Sequence, residues 1–489
     1  MTVPVELVLD GPEQDGSGPS NAEELGAAPA RQEVVQPTSR ELRDKILELV
    51  DRYVERRRAE EQPFVAGRTP VRYAGRVHDA AEVRNLVTAA LEFWLTEGRF
   101  ARALESALCR FLNVGHTRLA SSGSSANLLA VAALTSPRLG ERRLCRGDEV
   151  ITVAAGFPTT VAPIVQLGAV PVFVDVDRRT ANVDVAQLEE ALGPRTKAVV
   201  LAHTLGNPFD LDTVLSFCRA HELWLVEDNC DALGSRYDSR LLGEVRFTGS
   251  FGDLATSSFY PPHHMTTGEG GAVYTSDAEL DAIVASLRDW GRDCYCRSGK
   301  DNTCGKRFEH QLGQLPFGYD HKYTYSHFGY NLKMTDLQAA VGVAQVAKLP
   351  AFGDARRANR ARLVEGLSHL GEWLLPQLAT PRSDPSWFGL LLSVAEPAPF
   401  SRDEIVAFLE RERIQTRMLF AGNLLRHPCF DEMRSGGAGF RVVGDLRATD
   451  ELTERAFWIG VYPGMGEAAL DYVVERITSY CRDPRRAGP

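Results

Sequence analysis

Short apolar segments alternate with amphipathic ones between residues 149 and 227, and this alternation limits the possible folds more than any other feature of the sequence. The apolar segments predict strands at residues 149–154, 170–174, 198–202 and 223–227, and the segments between them predict helices at residues 159–167, 185–192 and 211–221. Such a strand–helix repeat predicts an α/β fold with a mostly parallel mixed sheet wrapped by helices. Ligands of these sheets bind beyond the carboxyl ends of the strands.

The segments on either side of this repeat differ from it in composition. Residues 1–39 are rich in Gly, Pro, Glu, Gln and Ala, which predicts a disordered tail. Apolar residues at helical spacing within residues 40–112 predict an N-terminal helical cap. We expect a large domain at residues 113–350 and a smaller α+β domain at residues 351–489.

Charge and hydropathy exclude several classes of protein. The 489-residue chain has a net charge of -10 and no basic stripe, which argues against a nucleic-acid partner. No apolar run approaches the roughly 18 residues of a membrane helix, and the first residues lack the pattern of a secretory signal. We therefore expect a cytoplasmic protein with no membrane partner. Its nine cysteines, an odd number, argue against a disulfide framework.

A turn rich in serine and glycine, at residues 121–125, lies between a short strand and an apolar helix. Free backbone N–H groups at the start of such a helix, with hydroxyl groups beside them, form a binding site for a phosphate group. Ser124 and Ser125 are the residues expected to make this contact. The alternative is that the serines only cap the helix.

Two further side chains lie at the expected carboxyl ends of strands. Asp228 follows an apolar strand, where a carboxylate could pair with a pyridinium nitrogen and keep a cofactor ring protonated. The alternative for Asp228 is a helix cap or an ordinary loop carboxylate. Phe157 also follows a strand, where its ring could stack on a flat cofactor or simply pack in the core.

The central motif, Ser-Phe-Tyr-Pro-Pro-His-His-Met-Thr-Thr-Gly-Glu-Gly-Gly, occupies residues 258–271. It is similar to the pattern of sugar aminotransferases of pyridoxal-phosphate fold type I, in which a lysine stands where this chain has His263. A lysine amine binds pyridoxal phosphate as a Schiff base, whereas an imidazole moves protons but forms no stable Schiff base. The motif therefore predicts the free amine cofactor, pyridoxamine phosphate. The alternative is a strand that ends in a proline turn, with His263 and His264 as bystanders.

A polar loop at residues 292–306 contains Cys294, Cys296 and Cys304. Closely spaced thiols, with one more from elsewhere, predict a four-thiolate metal site. Cys230 is the natural fourth candidate, since it follows Asp228 by two positions. Zinc is an alternative ion, although the single residue between Cys294 and Cys296 is shorter than the usual zinc spacing. A further alternative is that these are unrelated thiols with no metal.

Four motifs occur in order: Ser-Gly-Ser-Ser-Ala-Asn, Glu-Asp-Asn-Cys-Asp-Ala-Leu-Gly, the central motif, and Gly-Tyr-Asn-Leu-Lys-Met-Thr-Asp-Leu-Gln-Ala-Ala. With this set the chain resembles the pyridoxamine-phosphate-dependent, 2Fe-2S nucleotide-sugar 3-dehydrases of the DegT/DnrJ/EryC1/StrS sugar aminotransferase family. The resemblance runs from about residue 72 to the C-terminus. It implies the aspartate-aminotransferase fold, type I of the pyridoxal-phosphate enzymes, with a large cofactor-binding domain and a small C-terminal domain.

The resemblance also implies a role for each motif residue. The cofactor phosphate, ring and pyridine nitrogen would be bound by Ser124, Ser125 and Ser258, by Phe157, and by Asp228 with Asp231 close by. Asn331 would reach the phosphate of a neighbouring subunit in a homodimer. The base would be His263, with Tyr260 near it, and Phe388 would line the sugar pocket. The ligands of the 2Fe-2S cluster would be Cys230, Cys294, Cys296 and Cys304.

The activity implied by the resemblance is C3-deoxygenation of a nucleotide-linked 4-keto-6-deoxyhexose, dTDP- or CDP-linked. Elimination of the C3 hydroxyl group would be followed by one-electron reductions through the cluster, fed by a ferredoxin or flavin reductase. Residues 237–249 form a segment that is longer than in the CDP-linked enzymes, which leaves the substrate open. The alternatives are a cluster-free 3-dehydratase, a nucleotide-sugar aminotransferase and an inactive binding subunit.

Overall fold

The computed structural model describes residues 36–294, 296 and 301–482. The predicted tail at residues 1–39 lies almost wholly outside these residues. The helices of the described chain are α1 (Ser39–Ala59), α2 (Ala80–Glu92), α3 (Arg99–Leu112), α4 (Gly123–Leu134), α5 (Pro158–Gln166), α6 (Leu188–Ala191), α7 (Leu211–Ala220), α8 (Ala278–Arg288), α9 (Asp336–Val346), α10 (Leu349–Leu367), α11 (Arg402–Arg411), α12 (Asp431–Gly436), α13 (Arg447–Arg455) and α14 (Glu467–Arg482).

The strands fall into three sheets. They are β1 (His116–Ala120), β2 (Glu149–Val153), β3 (Val170–Val174), β4 (Thr196–Ala202), β5 (Trp224–Asp228), β6 (Arg236–Ser239), β7 (Glu244–Phe247), β8 (Leu254–Ser258), β9 (Gly271–Thr275), β10 (Leu374–Pro376), β11 (Ser383–Asp384), β12 (Gly389–Val394), β13 (Thr416–Met418), β14 (Arg441–Val442) and β15 (Ala456–Gly460). Short 3₁₀ turns occur at Pro137–Arg142, Val185–Gln187, Thr204–Gly206, His321–Tyr323, Ser368–Leu370, Leu424–Arg426 and Pro428–Phe430.

The predicted alternation forms the large sheet. Its eight strands have the order β1-β9-β8-β5-β4-β2-β3-β14. Strand β9 pairs antiparallel with both of its neighbours, and the remaining pairs are parallel. The carboxyl ends of all strands except β9 therefore meet at one edge, which confirms the predicted mostly parallel sheet.

Helices cover both faces of this sheet, and residues 198–201 of β4 are apolar on both faces. Val199 and Leu201 pack in a cluster on one face, whereas Ala198 and Val200 pack in a second cluster on the other face. A strand buried on both faces reads as a continuous apolar run, which is the pattern seen in the sequence. The predicted helix at residues 185–192 is a 3₁₀ turn followed by the single turn α6.

A second, antiparallel sheet has the order β10-β12-β15-β13 and comes wholly from the C-terminal third of the chain. Helices α10, α11 and α14 pack on it around a separate apolar core. The expected smaller domain at residues 351–489, of which residues 483–489 lie outside the described part, stays a prediction.

One C-terminal segment nevertheless joins the large sheet. Strand β14 pairs in parallel with β3 at the edge of that sheet. Helix α13 follows, and its N-terminus is capped by Asp175, which directly follows β3. The Asp175 carboxylate accepts hydrogen bonds from the backbone N–H groups of Ala448 and Thr449, each at 2.8 Å, and from the Thr449 hydroxyl group at 2.7 Å. The two regions are thus joined by main-chain and side-chain contacts.

The longer segment at residues 237–249 forms most of a surface hairpin. Strands β6 and β7 pair antiparallel, and β11 adds to β6 as a third short strand. The hairpin is anchored at its end by Glu227, whose buried carboxylate accepts the backbone N–H groups of Gly249, Phe251 and Gly252 at 2.7–2.8 Å. Residues 237–249 therefore lie mainly in a hairpin outside the large sheet.

Helices α1, α2 and α3 occupy most of the segment expected to form an N-terminal cap, and α2 and α3 pack against α9. Helix α1 begins with a capping box, in which Thr38 and Glu41 satisfy each other's backbone N–H groups. Within the described residues, no helix combines the length and the apolar character needed to cross a membrane.

Candidate active site

The predicted site residues converge at the carboxyl edge of the large sheet. Asp228 ends β5 and Ser258 ends β8, while the turn after β1 leads directly into α4. Since β8 lies beside β5, and β9 alone separates β8 from β1, these groups share one edge of the sheet. This is the position at which open α/β sheets bind ligands.

The N-terminus of α4 combines capping with free donors. Ser122 is the cap, and its hydroxyl oxygen accepts the backbone N–H of Ser125 at 3.0 Å. The Ser125 hydroxyl group lies 2.9 Å from the hydroxyl oxygens of both Ser121 and Ser122. Ser124 is exposed in the first turn. Ser122 therefore caps α4. The other N–H groups of the first turn of this helix lie beside the serine hydroxyl groups.

Gly123 brings this helix terminus against Ser258. A Cβ atom added at Gly123 would lie 2.4 Å from the Cβ and 2.8 Å from the Oγ of Ser258. Only a glycine allows so close an approach of the two segments. The turn and the end of β8 therefore form a narrow cradle of N–H and hydroxyl groups, which is the chemistry that binds a phosphate group.

Asp228 is buried and its carboxylate is held by neutral donors. Its Oδ2 accepts the amide of Asn127 at 2.8 Å and the hydroxyl group of Thr160 at 2.7 Å, and its Oδ1 accepts the backbone N–H of Cys230 at 3.2 Å. Asn127 is in turn held by Thr256, whose hydroxyl group donates to its side-chain oxygen at 2.5 Å. No cation takes part in these hydrogen bonds, so the negative charge remains available to a ligand.

His263 lies in the turn after β8. Its backbone N–H donates to the Tyr260 carbonyl at 2.9 Å. Its ring lies 5.2 Å from the ring of Phe388, centroid to centroid, and its Nδ1 lies 3.7 Å from the Asp231 Oδ1. The Nδ1 atom is buried with no hydrogen-bond partner among the described residues. Buried polar atoms are usually hydrogen-bonded, so this nitrogen has the capacity to bind a ligand.

The protonation states of His263 and Asp231 are both set by burial. Burial lowers the pKa of His263 to about 4, although the Cys230 carbonyl and the Asp228 carboxylate oppose the shift. Burial and the neighbouring Asp228 raise the pKa of Asp231 to about 8. At neutral pH the imidazole is therefore neutral and the Asp231 carboxyl group protonated, so their 3.7 Å contact is not an ion pair.

Arg356, on α10, fixes the His263 turn. This guanidinium is 2% exposed. It donates to the carbonyl oxygens of His263 at 3.1 Å, Pro262 at 3.4 Å, Trp387 at 3.1 Å and Phe388 at 3.3 Å. Burial lowers its pKa to about 10, which leaves it charged at neutral pH. One cation thus joins the turn of the candidate base to the segment that carries Phe388.

An aromatic wall lines the site on the side of β2 and β13. Phe157 is 53% exposed and makes an edge contact with Phe420 at 5.9 Å between ring centroids. Phe420 lies 6.4 Å from Phe388. The exposure of Phe157 argues against simple core packing, since a core phenylalanine would be covered.

Tyr260 and Asn331 are exposed, like Ser124 and Phe157. Tyr260 is 48% exposed, and its carbonyl is the part that contacts the His263 turn. Asn331 is also exposed and forms an isolated antiparallel bridge with Asp289. Their predicted contacts with substrate and with a neighbouring subunit stay predictions.

The loop thiols gather around a histidine. Ligand atoms of Cys294, Cys296 and His321 all lie within 4.8 Å of one another. The Nε2 of His321 is 3.7 Å from the Cys294 Sγ and 3.6 Å from the Cys304 Sγ. Each of these two sulfurs also accepts a backbone N–H two positions on, from Cys296 at 3.4 Å and from Lys306 at 3.5 Å. Such donors stabilise thiolates, which are the ligand form of cysteine.

The pKa of the Cys296 thiol agrees with this. Burial raises it, but hydrogen bonds with Thr303, Cys294 and Cys304 together outweigh burial and lower the pKa to about 6. Burial has the larger effect at Cys294 and raises the pKa of that thiol. The three loop thiols therefore fit a soft metal centre, either an iron–sulfur cluster or zinc.

Cys230 lies elsewhere, beside Asp228. Burial and the Asp228 carboxylate raise the pKa of its thiol well above the ordinary value. Among the described residues, the group of converging metal-ligand atoms contains His321 and does not contain Cys230. The role of Cys230 as the fourth ligand stays a prediction.

The sequence model of the DegT/DnrJ/EryC1/StrS aminotransferase family matches residues 77–478. The chain belongs to this family. Helix α1 precedes the matched region, and the site described above lies wholly within it.

Members of the DegT/DnrJ/EryC1/StrS family resemble the chain closely. The dTDP-4-dehydro-2,6-dideoxy-D-glucose 3-dehydratase of Saccharopolyspora spinosa is 54% identical over 438 residues, which cover 90% of this chain and 92% of the relative. The lipopolysaccharide biosynthesis protein RfbH of Salmonella typhimurium is 51% identical over 443 residues, which cover 91% and 99%.

A solved structure confirms the fold. The E. coli GDP-4-keto-6-deoxy-D-mannose-3-dehydratase with bound hydrated PLP superimposes with a TM-score of 0.72 at 26% identity, over 83% of this chain and 98% of that one. The predicted pyridoxal-phosphate fold type I is therefore correct.

Sequence reasoning missed five residues of the site: Asn127, Thr160, His321, Arg356 and Phe420. Asn127 ends the Ser-Gly-Ser-Ser-Ala-Asn motif and Thr160 closely follows Phe157, so their position beside predicted residues was an available signal. The other three reach the site from distant segments, and no local pattern marks them.

Proposed function

We propose that the chain removes the C3 hydroxyl group from a nucleotide-linked 4-keto-6-deoxyhexose, with pyridoxamine phosphate as cofactor, in deoxysugar biosynthesis. The observation that carries this proposal is the neutral imidazole of His263, 14% exposed, in the turn after β8 at the same edge of the large sheet as Asp228 and the phosphate cradle. The relatives that are 54% and 51% identical support this substrate class, since one of them is a dTDP-linked 3-dehydratase.

An imidazole in this position favours elimination over amino-group transfer. A lysine would hold the cofactor as a Schiff base, whereas His263 leaves it as a free amine. Two lysines of the described chain are ion-paired: Lys333 with Asp289, and Lys348 with Glu82 at 2.5 Å.

The chain's own residues bind and polarise the cofactor. Bound there, pyridoxamine phosphate would supply an amine that condenses with the C4 ketone and a ring that accepts electrons. The N-terminus of α4 and Ser258 would hold its phosphate, and Phe157 would cover one face of its ring. Asp228 would keep the pyridine nitrogen protonated, because its carboxylate is held by neutral donors only.

His263 would act as the base that takes the proton from the C4′ carbon of the cofactor. Its imidazole is neutral at pH 7, because burial lowers its pKa to about 4. A base must be unprotonated before the reaction, and this condition is met across the physiological range. Asp231 would hold a proton beside it, because its pKa is raised to about 8.

The loop thiols support a second centre, a 2Fe-2S cluster. Cys294, Cys296 and Cys304 would hold it, with Cys230 as the fourth ligand that the family resemblance implies. Such a cluster would supply electrons one at a time, and a ferredoxin or flavin reductase would be the external donor. We also propose a homodimer, in which Asn331 reaches the partner's cofactor phosphate. The exposure of Asn331 supports this.

The test uses the full chain, purified anaerobically and loaded with pyridoxamine phosphate. A panel of dTDP- and CDP-linked 4-keto-6-deoxyhexoses, with and without a C2 hydroxyl group, is supplied with dithionite as reductant, and the 3-deoxy product is measured. We expect turnover by the native protein and a loss of at least 100-fold in His263→Gln. The matched control is His264→Asn. The neighbouring His264 has a structural contact instead, since its Nε2 forms a hydrogen bond with the Ser386 carbonyl at 2.7 Å.

Three results would contradict the proposal in different ways. Equal turnover by His263→Gln and the native protein would remove His263 as the base. A visible Schiff-base absorbance and amino-group transfer from glutamate would indicate an aminotransferase. Product formation without iron would indicate a cluster-free 3-dehydratase that regains its amine from glutamate.

A further inference from the structure

His321 is a buried imidazole that none of the expected ligand roles uses. It is 5% exposed, and its Nε2 lies 3.7 Å and 3.6 Å from the sulfurs of Cys294 and Cys304. Both distances are within hydrogen-bonding range of a sulfur atom, which is larger than oxygen. The nitrogen is therefore placed almost equally between two thiols of the loop.

The imidazole is held firmly in this position. His321 begins a 3₁₀ turn capped by Asp320, and its backbone N–H donates to the Arg307 carbonyl at 3.3 Å. The Arg307 guanidinium forms a two-point ion pair with Asp320 at 3.0 and 2.5 Å. On its flank, the ring of His310 stacks at 5.7 Å between centroids and 16° between planes. An orientation fixed by backbone, ion pair and ring stacking is typical of groups that support a metal centre.

We propose that His321 donates its Nε2–H to the thiolates of Cys294 and Cys304 and thereby raises the reduction potential of the iron–sulfur centre held by this loop. The inference rests on the proposed function, since it concerns the same cluster. Reduction adds negative charge to the cluster and its sulfurs. A hydrogen-bond donor stabilises this charge, so the reduced form becomes more favourable.

The surroundings of the two sulfurs agree with such a role. Each already accepts one backbone N–H, from Cys296 or from Lys306, and His321 completes the set with a side-chain donor. The same distances would also suit tetrahedral coordination of one metal ion, since ligands at ~2.1 Å for nitrogen and ~2.3 Å for sulfur lie roughly 3.6 Å apart. The experiment is therefore designed to separate donation from coordination.

The experiment compares the full-length native protein, His321→Leu and His321→Gln after anaerobic purification. Leucine removes the donor, whereas the glutamine side-chain amide retains an N–H. The matched control is His310→Phe, which keeps a ring against His321. Iron and sulfide content, the midpoint potential and pulsed EPR of the reduced state are measured.

We expect all four proteins to hold iron and sulfide. The reduction equilibrium constant of His321→Leu should fall about tenfold, which is a shift of ~59 mV for a one-electron couple, with a smaller shift in His321→Gln and none in His310→Phe. The native spectrum should contain a weak ¹⁴N coupling that His321→Leu loses.

An unchanged potential in iron-loaded His321→Leu would overturn the inference and leave the proposed cluster intact. A strong ¹⁴N coupling, with iron lost from both His321 variants, would overturn it in favour of coordination. If His321→Leu does not fold or holds no iron, the native coupling decides: a weak coupling supports donation, and a strong or absent coupling overturns it. Native protein without iron and sulfide would instead refute the cluster itself.

Discussion

Replacement of Arg356 by methionine tests how the candidate base is positioned. The guanidinium is buried and donates to four carbonyl oxygens, two of them at 3.1 Å. Methionine fills a similar volume but donates nothing. Each buried carbonyl left without a partner costs about 1–3 kcal/mol. If only the two shortest contacts count, the loss is about 2–6 kcal/mol, partly offset because a buried cation is removed.

The functional effect of Arg356→Met follows from the two segments that the guanidinium joins. These are the His263 turn and the segment of Phe388, so both sides of the pocket lose a common anchor. A displacement of about 1 Å at a catalytic group costs roughly 100-fold in rate. We therefore expect the turnover number of Arg356→Met to fall by about that factor, with a smaller loss in Arg356→Lys, which retains a cation.

Arg357 provides the matched control. It pairs with Asp354 at 3.1 Å and with Asp384 at 2.7 Å near the surface, so Arg357→Gln should cost less than ~1 kcal/mol. Urea unfolding midpoints and turnover numbers of the three variants provide the comparison. If Arg356→Met and Arg357→Gln unfold at the same urea concentration and turn over equally fast, Arg356 does not anchor the His263 turn.

Three further predictions concern the same pocket. Asn127→Leu removes a hydrogen bond to the Asp228 carboxylate, worth about 1.5–3 kcal/mol; we expect kcat/KM to fall about 10- to 100-fold, and an unchanged value would contradict the assigned contact. Gly123→Ala would place a Cβ atom 2.4 Å from that of Ser258, so cofactor affinity measured by absorbance titration should weaken at least tenfold. The ring signals of His263 in the unloaded protein should titrate near pH 4 by NMR, since burial lowers its pKa to about 4. The neutral base is therefore present above that pH and lost below it. A titration near pH 6.5, in signals assigned by their loss in His263→Gln, would contradict the effect of burial.

The large sheet could be predicted because its strands are buried on both faces. Strands β2 and β3 lie at Glu149–Val153 and Val170–Val174, within one residue of the predicted bounds, since short runs rich in β-branched and apolar residues are typical of strands buried on both faces. The β6–β7 hairpin was missed because its exposed strands alternate with polar residues and carry no apolar run. Helix α13 was missed because it is strongly polar and its cap comes from Asp175, 274 positions earlier.

Some residues of the candidate site could likewise be predicted from the sequence, and others could not. Asp228 could be proposed because it follows an apolar strand, Ser258 because the family motif assigns it to the phosphate, and His263 because it stands where the related motif has lysine. Arg356 lies 93 positions after His263 in the sequence. It contacts backbone carbonyl groups, which every residue has, so the sequence does not mark its partners. His321 lies 27 positions after Cys294, in a loop whose fold depends on the ion pair between Arg307 and Asp320. Such contacts arise from tertiary structure, which local patterns do not encode.

The cap that Asp175 provides for α13 has a consequence for protein engineering. Truncation before residue 441 would uncover the edge of β3 and leave the Asp175 carboxylate with the backbone N–H of Val176 as its remaining donor, at 2.8 Å, so the shortened chain should aggregate. The C-terminal third cannot be exchanged as a module in chimeras of related enzymes. A functional hybrid would need to retain both Asp175 and the Thr449 hydroxyl group, because these two groups join the halves.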